Sequence, residues 1–244
     1  MSASHLRTTC IAAALLGLVS ASALALTGTA TRPQLTSSEA STYTIAKALA
    51  KAGPTAALVT DNWNPTAGLA LLSADYAVAA DGSTRYRSVQ AAIDAAVAAG
   101  GTTRRYISLK AGTYTELVCV PSNGPPLTLF GLGAGNGDTI IRFNNANPTP
   151  KPAGTASHAC ASNASATTVG TSNSATLTVR AANFEARHLR VDNNSIEGTY
   201  AGNNQSAVAL AVRGDRANFE DVVITGNQDT LLISATNAAN VIRA

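Results

Sequence analysis

Ala182-Asn-Phe-Glu185 is followed by Leu189-Arg-Val191 and Asn193-Asn194, and 35 residues further on Ala217-Asn-Phe-Glu220 is followed by Val222-Val-Ile224 and Gly226-Asn227. The pair Val179-Arg180 likewise recurs as Val212-Arg213. A repeat of this kind, with short apolar runs between Asn- and Gly-rich corners, points to stacked coils of chain. No single coil can bury its own apolar face, so each must lie on its neighbours. The architecture expected is all-β, a right-handed parallel β-helix whose strand edges are free only at the two ends. An antiparallel sandwich also has many short strands, but the echo favours stacked coils.

Upstream of the echo the pattern supports the same reading. Residues 106–110, 116–120, 127–130, 139–143 and 175–179 are short runs of period two, separated by Gly, Pro and Asn clusters. Before them the period is helical. Val89, Ala92, Ile93, Ala96 and Val97 share one face, Ser88 offers a cap, and Gly100-Gly101 offers a stop. This helix, 88–99, is expected to cover the N-terminal end of the β-helix. Val78-Ala-Ala-Asp-Gly-Ser83 reads as a strand and turn, and Ser37-Ser-Glu39 as caps ahead of a helix over 45–51 that ends at Gly53-Pro54. Residues 144–174, rich in Pro, Ser, Thr and Asn, read as loop.

The first residues have a different character. A short start carrying Arg7 precedes an apolar stretch at 11–19 and the small-residue run Ala21-Ser-Ala-Leu-Ala25. This is the pattern of a secretory signal peptide, and the apolar stretch is too short for a membrane anchor. The expected organisation is a signal peptide over 1–25, a leader over 26–77 and a β-helix domain over 78–244. The protein is then secreted, extracellular or periplasmic. Export leaves Cys119 and Cys160 as an even pair in an oxidising compartment, which favours a structural disulfide over two buried free thiols. With 17 basic against 14 acidic residues and no basic run longer than Arg104-Arg105, nucleic acid is not an expected partner. No membrane is expected either, and nothing in the pattern calls for more than a monomer.

Six strings occur in order: Val78-Ala-Ala-Asp-Gly-Ser83, Ser88-Val-Gln-Ala-Ala-Ile-Asp94, Gly112-Thr-Tyr-Thr-Glu116, Leu127-Thr-Leu-Phe-Gly131, Ala207-Val-Ala-Leu210 and Gly226-Asn-Gln-Asp-Thr-Leu231. Together they resemble pectin methylesterases, the pectinesterase family of carbohydrate esterases. The resemblance implies hydrolysis of galacturonate methyl esters in pectin without metal or organic cofactor. One carboxylate attacks the ester carbonyl, a second carboxylic acid protonates the departing methoxide, and amides hold the oxyanion. Two neighbouring carboxyls split their pKa values, so one can hold a proton near neutral pH.

The resemblance gives Asp229 the general acid/base position and Gln228 an oxyanion-donor position. A second donor is expected directly before Ala207-Val-Ala-Leu210, where Ser206 stands and Gln205 is one residue early. Alternation along a strand turns Gln205 away unless a bulge intervenes, so either side chain is a candidate. Tyr114 and Glu116 read equally as cleft residues or as core and surface. Tyr200 is a candidate sugar-stacking ring, and His188 reads as a surface strand residue. The family's nucleophilic Asp lies in an Asp-Phe-Ile-Phe-Gly-like string, and its Arg partner in a Gly-Arg-Pro-Trp-like string. Neither occurs before Ala244. The chain is therefore expected to be a C-terminally incomplete portion of such an esterase, with little activity of its own and with Leu231-Leu-Ile233 at an open edge. A non-catalytic pectin-binding β-helix is the alternative. A lyase on the same architecture would need a Ca²⁺-binding acidic cluster, which the sequence lacks.

Overall fold

The computed structural model describes residues 35–42, 44, 47 and 73–234. The chain divides into two compact units, Met1–Asp61 and Asn62–Ala244. The segment expected to be a signal peptide, most of that expected to be leader and the greater part of the helix expected over 45–51 lie outside the described residues.

In the first unit α1 (Ser37–Thr42) begins on the residues expected to precede a helix. The cap is Thr36: its amide donates to Glu39 Oε2 at 2.8 Å, and the Glu39 amide donates back to Thr36 Oγ1 at 3.2 Å. This reciprocal capping box places Ser37-Ser-Glu39 in the first turn.

The second unit opens with β1 (Tyr76–Val78), two residues inside the segment expected to be leader. Helix α2 (Val89–Ala99) follows, and then β2 (Arg105–Leu109), β3 (Gly112–Thr115), β4 (Val118–Val120), β5 (Leu127–Gly131) and β6 (Thr139–Phe143). After the long loop come β7 (Leu177–Val179), β8 (Glu185–Asn193), β9 (Leu210–Val212), β10 (Asn218–Thr225) and β11 (Leu231–Ile233). All nine ladders between these strands are parallel, which excludes the antiparallel sandwich. One sheet stacks β4, β7, β9 and β11; the other joins β1, β2, β5, β8, β6 and β3, with β10 on β8.

Stacking is set by what points inward. Val118, Leu177 and Leu210 form one rung and Val120, Val179 and Val212 another, all buried. Ile107, Leu129 and Ala186 do the same in the second sheet. The buried face of α2 (Val89, Ala92, Ile93 and Ala96) joins this core, as the periodicity requires. Ser88 caps the helix by accepting from the Ala91 amide, and Gly100 ends it at φ 63°.

Rung spacing follows the Val179-Arg180 and Val212-Arg213 echo, 33 residues apart, and not the Ala-Asn-Phe-Glu one. Asn218 lies over Glu185 and Leu210 over Leu177, a spacing of 33, so the Ala-Asn-Phe-Glu strings are two residues out of step. A slip of two keeps every side chain on its face, and Phe219 packs on Phe184 with ring centroids 6.0 Å apart. Left-handed corners keep the 33-residue period as well: Asn183 and Arg216, then His188 and Asp221, have φ between 51° and 58°. His188 is thus the kink of β8. Residues before it pair with β5 and residues after it with β6, so one strand continues two. Its Nδ1 bonds the Asp221 carboxylate, which holds the imidazole above its usual pKa, and Nε2 faces Gly133 O at 3.2 Å.

Residues 144–174 hold a 3₁₀ turn, Thr171–Asn173, and no strand. Two devices organise them. Cys160 is disulfide-bonded to Cys119, whose side chain leaves β4 on the face opposite Val118 and Val120. Lys151 Nζ donates into a cage of backbone carbonyls from Pro152, Thr155, Ala164 and Ala166, at 2.6–3.3 Å. Among the described residues no helix is long and apolar enough to cross a membrane.

Candidate active site

The turn between β10 and β11 carries Gln228 and Asp229, adjacent residues with φ of 52° and 47°. Left-handed backbone costs a non-glycine residue about 1–2 kcal/mol, so the surroundings must enforce it twice in succession. They do so through the segment before β9. Ala207 N donates to Asn227 O at 2.8 Å and Ala209 N to Thr230 O at 2.9 Å, while the Thr230 hydroxyl closes on Gly226 O at 3.1 Å. A Cβ on Gly226 would stand 2.6 Å from Ala207 O, so only glycine permits this approach. These contacts replace the strand expected at Ala207-Val-Ala-Leu210. Ladder pairing begins only at Leu210, and Ala207 makes an isolated bridge to Asn227.

Asp229 is exposed, and its Oδ2 receives the Ser206 hydroxyl at 2.8 Å. Asn204 Oδ1, at 2.9 Å, competes for the same proton. Gln205 does not face Asp229. Its side chain is buried under the 198–202 loop: Oε1 accepts from Gly198 N (2.9 Å) and Tyr200 N (3.2 Å), and Nε2 donates to Gly202 O (2.9 Å). The two neighbours left open by the sequence part here, with Ser206 toward the turn and the Gln205 side chain beneath the loop, so Gln205 is not the side-chain donor beside Asp229. Only the Gln205 backbone reaches the site, donating to Gln228 Oε1 at 3.2 Å.

Gln228 is also engaged at its amide nitrogen, which donates to Glu197 Oε1 at 2.6 Å and to Asn203 O at 3.3 Å. Glu197 was not singled out from sequence. Its only signal is that it is the single acidic residue between Asp192 and Asp215, in an otherwise neutral loop. Tyr200 borders the site with its phenol oxygen accepting from Thr149 Oγ1 at 3.1 Å. Through that contact, and through Asn147 N donating to Ser206 O at 2.8 Å, the long loop touches the site.

Tyr114 and Glu116 are not part of it. Tyr114 is buried and donates to carbonyls of Val78 or Lys110, and burial raises its phenol above the usual pKa. Glu116 accepts from Ser88 Oγ, Val89 N and Gln90 N at 2.7–3.0 Å, which makes it a second cap of α2. No group of three or more His, Cys, Asp or Glu that could hold a metal occurs among the described residues.

An exposed carboxyl, a hydroxyl on one of its oxygens and an amide beside it are equipment for proton transfer and for holding a developing oxyanion. The pectinesterase family profile matches residues 75–238, which includes every residue of this arrangement. The chain belongs to the pectinesterase family. A pectinesterase of Ralstonia nicotianae is 59% identical over 239 residues, covering 96% of this chain and 60% of that protein. The structure of rice weevil pectin methyl esterase superposes with a TM-score of 0.62 at 32% identity, over 86% of this chain and 56% of that one. A pectin methylesterase solved in complex with a hexasaccharide gives 0.53 at 30% identity, over 67% and 46%. The chain thus spans about 60% or less of the length of these relatives.

Proposed function

We propose that the protein is a secreted pectinesterase that hydrolyses methyl esters of galacturonate in pectin, acting as a monomer without metal or organic cofactor. The observation that carries this reading is Asp229: exposed, held in left-handed backbone, hydrogen-bonded by Ser206 and set within Gly226-Asn-Gln-Asp-Thr-Leu231. The apolar stretch at 11–19 with its small-residue sequel and the Cys119–Cys160 disulfide support export.

In this reading Asp229 gives its proton to the departing methoxide and then takes one from the water that cleaves the acyl intermediate. Ser206 orients the carboxyl by donating to Oδ2. Gln228 holds the oxyanion through Nε2 once that nitrogen exchanges a present acceptor for the substrate oxygen. The attacking carboxylate is the family's Asp of the Asp-Phe-Ile-Phe-Gly-like string, and no residue within 1–244 is assigned that role.

In the full-length protein Asp229→Asn keeps the shape and removes the proton, and is expected to lower kcat for methanol release by about 10²–10⁴-fold with little change in KM. Asp215→Asn, at the corner before β10, is the control and stays active. Near-normal methanol release by Asp229→Asn alongside loss in Asp215→Asn would overturn the assignment.

A further inference from the structure

We infer that Glu197 sets which galacturonan the site retains, favouring the neutral methyl ester over the carboxylate that hydrolysis leaves behind. The inference rests on the reading of Gln228 and Asp229 given above and concerns a residue to which that reading assigns no role.

An amide nitrogen carries two hydrogens, and those of Gln228 are committed to Glu197 Oε1 at 2.6 Å and Asn203 O at 3.3 Å. A substrate oxygen therefore reaches Gln228 by replacing one of these acceptors. In either case it arrives within about two hydrogen-bond lengths of the Glu197 carboxylate. The carboxylate is exposed, and among the described residues no Lys, Arg or His pairs with it. Nor can it retreat far. The loop is fastened from below by the buried Gln205 side chain through Gly198, Tyr200 and Gly202, so the residue next to Gly198 remains beside the site.

The reaction changes the sign of this encounter. An ester is neutral and can share the amide with Glu197, whereas the product is an anion brought against another anion. Ile196, adjacent on the loop and 75% exposed, offers an apolar surface that suits a methyl ester and gives nothing to a carboxylate. The same charge therefore admits esterified chain and hastens departure of de-esterified chain.

The test is calorimetric binding in full-length Asp229→Asn protein, where hydrolysis of the ester is slowed by about 10²–10⁴-fold, with methanol measured after each titration to show that the hexamer stays esterified. The two probes are a fully methyl-esterified galacturonic acid hexamer and its de-esterified counterpart. Adding Glu197→Gln keeps the hydrogen bond to Gln228 and removes the charge. It should shift the ratio of the two dissociation constants toward the de-esterified hexamer by about three- to fivefold, the effect typical of an exposed charge pair. The shift should shrink in about 0.5 M salt, and Glu220→Gln in the other sheet should not produce it. A ratio unmoved by Glu197→Gln, with both hexamers bound, overturns this inference alone. If neither hexamer binds either protein, the reading of the site fails and the inference falls with it.

Discussion

Single residues divide according to whether their partners are near in sequence. Asp229 and Gln228 were singled out because a contiguous string carries them, whereas Ser206 and Gln205 both stayed candidates until the structure turned the Ser206 hydroxyl to Asp229 and the Gln205 side chain beneath the loop. Glu116 was not, because its partners lie 26–28 residues back at the start of α2 and nothing local announces that its carboxylate meets three donors there. Its position in a recognised string reflects the end of a helix rather than the chemistry. Glu116→Ala should therefore cost about 1–2 kcal/mol of stability. Urea unfolding should show a lowered midpoint with an unchanged slope, and esterase kinetics per folded molecule should not move. A change in KM without loss of stability would return Glu116 to the cleft. Glu197 escaped for the same reason as Glu116: its partner Gln228 is 31 residues away.

At the level of elements, the helix was the most legible, since its period, cap and stop all lie within 88–101. Strands were found where two or more large apolar residues alternate. They were missed or misplaced where they do not: β3 is Gly-Thr-Tyr-Thr with one apolar side chain, and the small residues of Ala207-Val-Ala serve a close turn rather than a ladder. Register was the least legible, because the most conspicuous identity in the sequence is two residues out of step with the rungs. Gly131 shows how tightly those rungs constrain a position. It ends β5 directly under the kink of β8, where an added Cβ would lie 2.0 Å from His188 O and 3.0 Å from Thr139 Oγ1. The obstructing atom is backbone, so Gly131→Ala must push β8 away from β5. The expected cost is about 2 kcal/mol or more, within the range for overpacking a core, read as a lower thermal midpoint. A midpoint equal to that of the parent would mean that the two strands can part freely at this point.

Across the second unit, the disulfide joins the long loop to a strand 41 residues earlier. In the chain-entropy account a closed loop of that length contributes about 4 kcal/mol. Cys119→Ser with Cys160→Ser should lose a sizeable part of that, and a protease of broad specificity such as proteinase K should then cut within 144–174. Equal denaturation midpoints with and without reductant would show that the loop is held without the bond. Successive rungs are separated by very different lengths of chain: Leu127 stacks on Arg105 after 22 residues, Glu185 on Thr128 after 57, and Asn218 on Glu185 after 33. Stacking fixes only where a strand lands, so the intervening chain is slack that can be let out or taken in at no cost to the ladder. Length changes between related chains should therefore collect at corners such as 132–138 and 144–174, while one residue added inside a rung would exchange its inner and outer faces. The molecule is in this sense tolerant of large edits and intolerant of the smallest one.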